Sequence, residues 1–524
     1  MVPLQVIVYA LLVFTAVQIG TPAHVSLHPL LIVSTVLVSH LALLAVVATR
    51  ARHAAAVLHQ PTAAAGQIAE RLEKLFNLAR WGTVALAAVQ FWGLGWSDLV
   101  LAPHGWNLAR GILAPLPGEC ILLLPMILTW LAFWAVSYDV ELAIHQRSLA
   151  YRLAMGLPAH EMPRRGQFIS LQARHNFFLL IPILLSSLLD QILSSRKGFW
   201  TQFSIPISLM IMLILVPWII TLIWRTSPMT GPLRDRLIGV ARTYHVRFRN
   251  ILIWHTHHHV RNAAVLGYLF FARYFLMSDA LLESLTDRQI EAVFAHEVGH
   301  ARHRHLWWYS LVFLGCGGVT YWAGNQASLW LPRLFGHAEL FNSDALLGSS
   351  LQILILVGFT GLVFSRISKR FEHQADWFAT QHMARRLQDQ PLPEVPEFPP
   401  LSTLEAYAAG QNPSTPATTV SAAPPAIASP TATQGSVDTA TMIRGADLFM
   451  DALRTIVELS YRSPDHGGWL HPSVRQRGHL LAQLARDLAA RARFDARMFR
   501  TRLFILILAI LGGLAIWPEI KSMI

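Results

Sequence analysis

The stretch from Thr286 to Trp322, TDRQIEAVFAHEVGHARHRHLWWYSLVFLGCGGVTYW, runs from a polar helix into an apolar segment without a break. Thr286 and Gln289 have capping-box spacing, each side chain within reach of the other's backbone N–H, so a helix is expected to start there. The residues that follow, DRQIEAVFAHEVGHARHRH, keep a helical pattern. Inside it stands His296-Glu297-Val298-Gly299-His300. Residues four apart share one helix face, so both imidazoles can reach one ion. Glu297 lies one residue along, beside such an ion rather than on it, where a base for metal-activated water belongs. At Leu306 the pattern gives way to apolar residues, so this chemistry lies at the edge of a membrane.

Working outward, a bilayer crossing needs about 20 mostly apolar residues in helical form. The sequence offers nine candidates: Leu4–Ile19, Leu30–Ala48, Gly82–Val100, Ile121–Val136, Phe177–Leu193, Phe203–Trp224, Leu306–Trp322, Leu346–Phe364 and Leu503–Trp517. A mean hydropathy of +0.42 with 14% charged residues excludes an ordinary soluble domain. The first run lacks a basic leader and a small-residue cleavage site, and reads as a retained anchor.

The net charge of +12 raises the question of nucleic acid, but its placement answers otherwise. Arg50, Arg52, Arg71, Lys74 and Arg80 follow the second run; Arg147, Arg152, Arg164, Arg165 and Arg174 follow the fourth; eleven Arg lie between the sixth and seventh. The other side holds only Arg110, Arg196, Lys197, Arg333 and Lys521. This positive-inside bias puts both termini outside and the polar segments in the cytoplasm. The expected partner is the lipid bilayer, not nucleic acid. Cys120 and Cys316 fall in or beside apolar runs and offer neither a disulfide framework nor a thiolate site, which leaves His and carboxylates to hold any metal.

The chain divides into a six-span membrane region (1–224), a polar segment with the HEVGH helix (225–305), a transmembrane hairpin (306–364), a second polar piece (365–387), an insert (388–440), a third polar piece (441–502) and a last span (503–524). The insert is rich in Pro, Ser, Thr and Ala and is expected to be disordered. Strand-like runs stand at ILIW (251–254) and AAVLGYLFF (263–271). Between them HTHHH (255–259) reads as a solvated turn, with an accessory metal or pH-sensitive patch as the alternative. His303 and His305 read as solvated or interfacial side chains.

A catalytic zinc needs a third ligand. SKRFEHQADWFA, just after the eighth run, supplies Glu372 and Asp376 on one helical face; one can bind metal while the other orients a ligand histidine. His373 is a rival ligand, pointing about 100° away. The hairpin explains the separation from His300, because the chain leaves the site, turns and returns.

The combination of NAxxxG (Asn262, Ala263, Gly267), HEVGH, SKRFEHQAD and a later His-Pro resembles the membrane gluzincins, which comprise the prenyl-protein (CAAX) endopeptidases and the HtpX-like quality-control proteases. The resemblance runs from about Leu233 to Leu481, interrupted by the insert. It implies one Zn2+ per chain held by His296, His300 and Glu372, with Glu297 as general base and Asp376 beside a ligand histidine. It further implies Asn262, Ala263 and Gly267 in an edge strand that pairs with substrate backbone, His471 as oxyanion stabiliser and Arg477 as a structural arginine. Lys369 stands where many relatives carry arginine, and the insert and the ninth span are departures.

The fold expected is a membrane α-helical protein of about nine transmembrane helices, with a zincin-like α+β catalytic domain on the cytoplasmic face. The function expected is a zinc metalloendopeptidase of a bacterial inner membrane, acting on peptides or membrane proteins in quality control or processing. The alternatives are a CAAX-type prenyl-peptide processing enzyme and a non-catalytic zinc-binding scaffold or transporter. The oligomeric state is left open.

Overall fold

The protein's structure is a computed structural model. It describes residues 4–19, 27–58, 65–108, 116–154, 160–194, 211, 214–335, 346–389, 437–459, 465 and 467–523. Nearly all of the proposed insert, 390–436, lies outside them, as does the start of the sixth apolar run.

The first part is helical: α1 (Leu4–Ile19), α2 (Pro29–Leu58), α3 (Ala65–Ala88), α4 (Trp96–Leu101), α5 (Leu116–Ala154), α6 (Arg165–Phe177), α7 (Leu180–Ser194) and α8 (Ile214–Ile223). Tyr9, Phe91, Trp130, Phe133 and Phe168 form its buried centre. Among the described residues, three helices are long and apolar enough to cross a membrane: α2, α5 over Leu116–Arg147, and the later helix Leu488–Pro518. A fourth crossing results if α6 and α7, bent by 45°, count as one. The faces of α2 fit lipid: Leu30, Leu37, Val38, Leu41 and Val46 are all exposed.

Some expected spans differ. The run Gly82–Val100 is not one helix, because α3 ends at Ala88 and a π turn (Val89–Gly93) leads through Gly95 (φ 73°) into the short α4. A positive φ is cheap only for glycine, so Gly95 breaks the run. The first run, by contrast, is a helix with the expected bounds, Leu4–Ile19. The seventh and eighth runs lie inside longer helices, α12 (His305–Phe335) and α13 (Leu346–Asp389).

A four-stranded sheet follows, in the order β1-β2-β4-β3. The strands are β1 (Thr226–Pro228), β2 (Asn250–Trp254), β3 (Ala263–Leu266) and β4 (Tyr274–Ser278). β2 pairs parallel to β4, while β1 and β3 are antiparallel to their neighbours. ILIW forms most of β2. The longer run 263–271 supplies only β3, because Gly267 turns the chain at φ 91°. A Cβ there would lie 2.2 Å from the Ala272 carbonyl oxygen. β4, not anticipated, is entirely buried. β3 is an edge strand, pinned at its start where the Asn262 N–H donates to Ser278 Oγ (2.9 Å) and the Ser278 N–H to the Asn262 carbonyl (3.0 Å).

Helix α10 (Asp279–Ser284) leads from β4 to α11 (Asp287–Arg302), against which α9 (Pro232–Thr243) packs. Thr286 and Gln289 complete the anticipated capping box on α11. The remaining helices are α14 (Thr439–Glu458), α15 (Val474–Arg486) and α16 (Leu488–Met523). Phe275, Phe294, Phe371 and Phe449 are fully buried where these elements meet. Each such ring contributes roughly 1.5–3 kcal/mol by leaving water. Gly299 lets α11 approach α13 closely, since a Cβ there would sit 3.2 Å from Ala375 Cα. A tighter crossing joins α12 to α16: a Cβ on Gly318 would lie 2.2 Å from the Gly512 carbonyl oxygen, and one on Gly512 2.6 Å from that of Gly315. Backbones in such contact leave no room for side chains, the arrangement small residues give to apolar helix pairs.

Candidate metal centre

Helix α11 presents His296 and His300 on one face, and α13, returning from its apolar half, presents Glu372 toward them. His296 Nε2 and His300 Nε2 are 3.1 Å apart. Glu372 Oε1 is 3.4 Å from His300 Nε2, and Oε2 is 3.8 Å from His296 Nε2. Ligands about 2.0–2.1 Å from a tetrahedral zinc are separated by roughly 3.3 Å, so the donors already stand near the edges of such a site. The donor set, two imidazole nitrogens and a carboxylate oxygen, fits that ion. His373 is not in the group; its ring approaches Asp376 at 3.9 Å.

To bind metal through Nε2, each ring must carry its hydrogen on Nδ1. His296 meets this condition through Asp376, whose Oδ1 lies 3.0 Å from Nδ1. Asp376 is fully buried and gripped by Arg477 through two bonds, Nε to Oδ2 at 2.8 Å and Nη2 to Oδ1. Burial pushes the Asp376 carboxyl up, but the Arg477 charge outweighs it and holds the group down to about 2. The His296 ring also stacks on Phe449, centroids 5.7 Å apart, and Arg477 lies over the far side of the same neighbourhood, 5.7 Å from the Phe449 ring.

His300 is set by a longer relay. The guanidinium of Arg502 can only donate, and it does so to Gln374 Oε1 at 3.2 Å, which fixes that atom as the acceptor. His305 Nε2, 3.0 Å from the same oxygen, must then carry the ring hydrogen. This leaves His305 Nδ1 bare to accept from His300 Nδ1, 2.8 Å away, and leaves His300 Nε2 with its lone pair toward Glu372. Burial, reinforced by the neighbouring His300, keeps His305 far below its ordinary value and therefore neutral. Its ring stacks on Phe371 at 4.3 Å. His305 is thus a buried partner of His300 and not the solvated or interfacial side chain expected; the turn at Arg304 (φ 56°) swings it back under α11. His303 is half-buried against Phe378.

Glu297 faces the open edge of β3. Burial, the largest influence, pushes its carboxyl above the ordinary range; His296, the Val265 backbone and His471 pull the other way without cancelling it. For Glu372 the balance reverses: burial pushes up, but His471, His300 and His296 hold it well below the carboxylate range. His471 reaches the site from the loop before α15, its Nδ1 2.6 Å from Glu372 Oε2, and Ser365 anchors that loop by donating to the Trp469 carbonyl at 2.6 Å.

Two helices thus supply two imidazoles and a carboxylate that could hold one metal ion, with a second carboxylate, Glu297, one residue on from His296. Residues 231–396 match peptidase family M48. The matched residues include His296, Glu297, His300, Glu372 and Asp376; His471 and Arg477 lie beyond them. The crystal structure of S. mikatae Ste24p is similar, with 14% sequence identity and a TM-score of 0.42 over 87% of this chain and 98% of that one. No curated protein matches the sequence.

Proposed function

We propose that the protein is a zinc-dependent integral membrane endopeptidase that takes extended peptide segments along β3. The observation that carries this reading is the donor geometry of His296, His300 and Glu372, with Nδ1 of His296 facing Asp376 and Nδ1 of His300 facing His305. When bound there, zinc would act as a Lewis acid toward a carbonyl and toward water. The chain's own residues do the rest. Asn262 and Ala263 open an edge strand that a peptide backbone extends by β-pairing, and Gly267 ends it. Glu297, beside the Val265 N–H on that strand, takes a proton from water and passes it to the leaving amine. His471 donates to the oxygen on which charge develops, while Asp376 and Arg477 hold His296 in place.

The same proposal extends to topology. Nine crossings, with the site on the cytoplasmic face of a bacterial inner membrane and both termini outside, follow from the basic loops between apolar runs. The division into a six-span region, a catalytic domain in three pieces and a closing span belongs to it as well. Membrane-protein quality control is the preferred role, since backbone pairing along β3 gives affinity with little demand on side chains. The test compares detergent-purified wild type with Glu297→Gln on casein and on a prenylated peptide. Casein cleavage by the wild type alone, with equal catalytic zinc in both, supports the proposal; equal cleavage by both proteins ends it. Cleavage confined to the prenylated peptide moves the substrate to the CAAX class.

A further inference from the structure

Outside the catalytic centre, a second group of metal-ligating side chains is assembled from three distant segments. His160 precedes α6, His258 belongs to the HTHHH run, and Glu283 lies on α10. Glu283 Oε2 is 2.7 Å from His160 Nε2 and 2.9 Å from His258 Nδ1. The two rings stack face to face, centroids 3.7 Å apart and 10° from parallel. Nδ1 of His258 is shut off from solvent and makes no hydrogen bond, despite the nearby carboxylate. The side chains of His160, His258 and Glu283 remain 35%, 29% and 33% exposed, so the group borders solvent.

The backbone holds these groups in place independently of one another. His145 on α5 bonds the His160 carbonyl at 2.8 Å. Asp279 gathers the 255–260 loop: its carboxylate accepts from the Thr256 N–H (2.9 Å), the Thr256 hydroxyl, the His258 N–H (3.3 Å) and the Ala280 N–H (2.8 Å). His257 and His258 both take left-handed backbone conformations, φ 56° and 58°. Such strain persists where the surroundings over-determine it, as at active sites, ligand clamps and switch regions. A solvated turn needs neither the strain nor the buried acceptor beneath it. The donor atoms of the three side chains lie within 4.8 Å of one another, and one divalent cation meets all three once the rings tilt out of their stack.

We propose that His160, His258 and Glu283 form a second divalent-metal site, separate from the catalytic centre, that clamps the segment ahead of α6 to the loop leading into β3. Imidazole and carboxylate donors select a borderline transition cation such as zinc, and three protein ligands leave a fourth position to water. Because the loop runs from His258 directly into Asn262 and β3, occupancy stiffens the strand on which substrate would be laid.

The test is zinc content by mass spectrometry on the full chain in detergent, purified without a histidine tag, equilibrated with buffered free zinc and desalted. Two ions per chain are expected in the wild type. His160→Ala/His258→Ala retains one, and that retained ion shows the catalytic domain is folded. Glu283→Gln, which preserves shape, also retains one. A chain carrying His296→Ala and Glu372→Ala keeps one ion and loses it when His160→Ala and His258→Ala are added, so failure of the catalytic site is read separately. A second site empty in that chain, or an ion count unchanged by the His160, His258 and Glu283 substitutions, overturns the proposal.

Discussion

Two clusters of the same composition, two histidines and a glutamate, stand in this molecule on different footings. Around His296, His300 and Glu372 the donors are buried, set 3.1–3.8 Å apart, and each ring's second nitrogen is engaged by a side chain that decides its tautomer. Around His160, His258 and Glu283 the side chains are about a third exposed, both rings meet the same Glu283 oxygen at 2.7 and 2.9 Å, and the backbone of each histidine segment is held by hydrogen bonds. Ligand identity alone therefore says little about what a site can do. The surrounding shell is what separates the proposed reactive centre from the proposed fastening site.

The comparison can be tested where the clusters differ most. Only the first has a base beside it, and Glu297→Gln is expected to lower kcat by about 10³-fold, the range of general base catalysis, with zinc content at His296 unchanged. Turnover within tenfold of wild type, in a kinetic assay of the zinc-loaded protein, would remove the base from Glu297. Next is the shell. Asp376→Ala leaves the Arg477 guanidinium buried without its partner, at a cost of about 3–5 kcal/mol, and should show in thermal unfolding in detergent. The nearest counterpart in the second cluster, the partly exposed Glu283, is expected to give a much smaller loss when changed to Ala.

A subtler change separates tautomer control from packing. His305→Phe retains an aromatic ring against Phe371 but removes the acceptor for His300 Nδ1, and zinc affinity in a chelator competition is expected to drop about 10-fold or more. Unaltered affinity would show that the relay through Gln374 and Arg502 has no influence on the ligand.

The smallest expected effect is on stability. Glu291, on the same helix as the ligands, is buried; burial raises its carboxyl, but His382 at 2.9 Å and then Arg386 bring it below its ordinary value. A carboxyl depressed on folding stabilises above its unfolded range and loses that contribution as pH falls through roughly 4–5 and below. The unfolding temperature of the wild type should thus drop more steeply on acidification than that of Glu291→Gln. Parallel curves would count against the assignment.

What was legible in the sequence is what local spacing encodes. The capping box of Thr286 and Gln289, the paired imidazoles on α11 and the i,i+4 pair Glu372 and Asp376 all follow from helix periodicity, and the structure brings the three ligand candidates together. His305 was misjudged because its partner Gln374 lies on another helix, beyond the apolar hairpin, and no spacing rule links the two. Phe449 and Arg502 were missed for the same reason. In the apolar half, composition located the runs but not their breaks: Gly95 interrupts the third through one positive φ. The HTHHH run showed that histidines were concentrated there, while the distant His160 could be found only in three dimensions.

The glycine crossing of α12 and α16 has a consequence in the order of synthesis. Arg502 belongs to α16, which leaves the ribosome after every helix that carries a ligand. Until α16 settles against Gly315 and Gly318, Gln374 lacks the donor that fixes its oxygen, and the proton on His300 has no assigned nitrogen. A nascent chain thus holds the ligands before it holds the proton arrangement that makes them useful. On the proposed function, this ordering arms the site last.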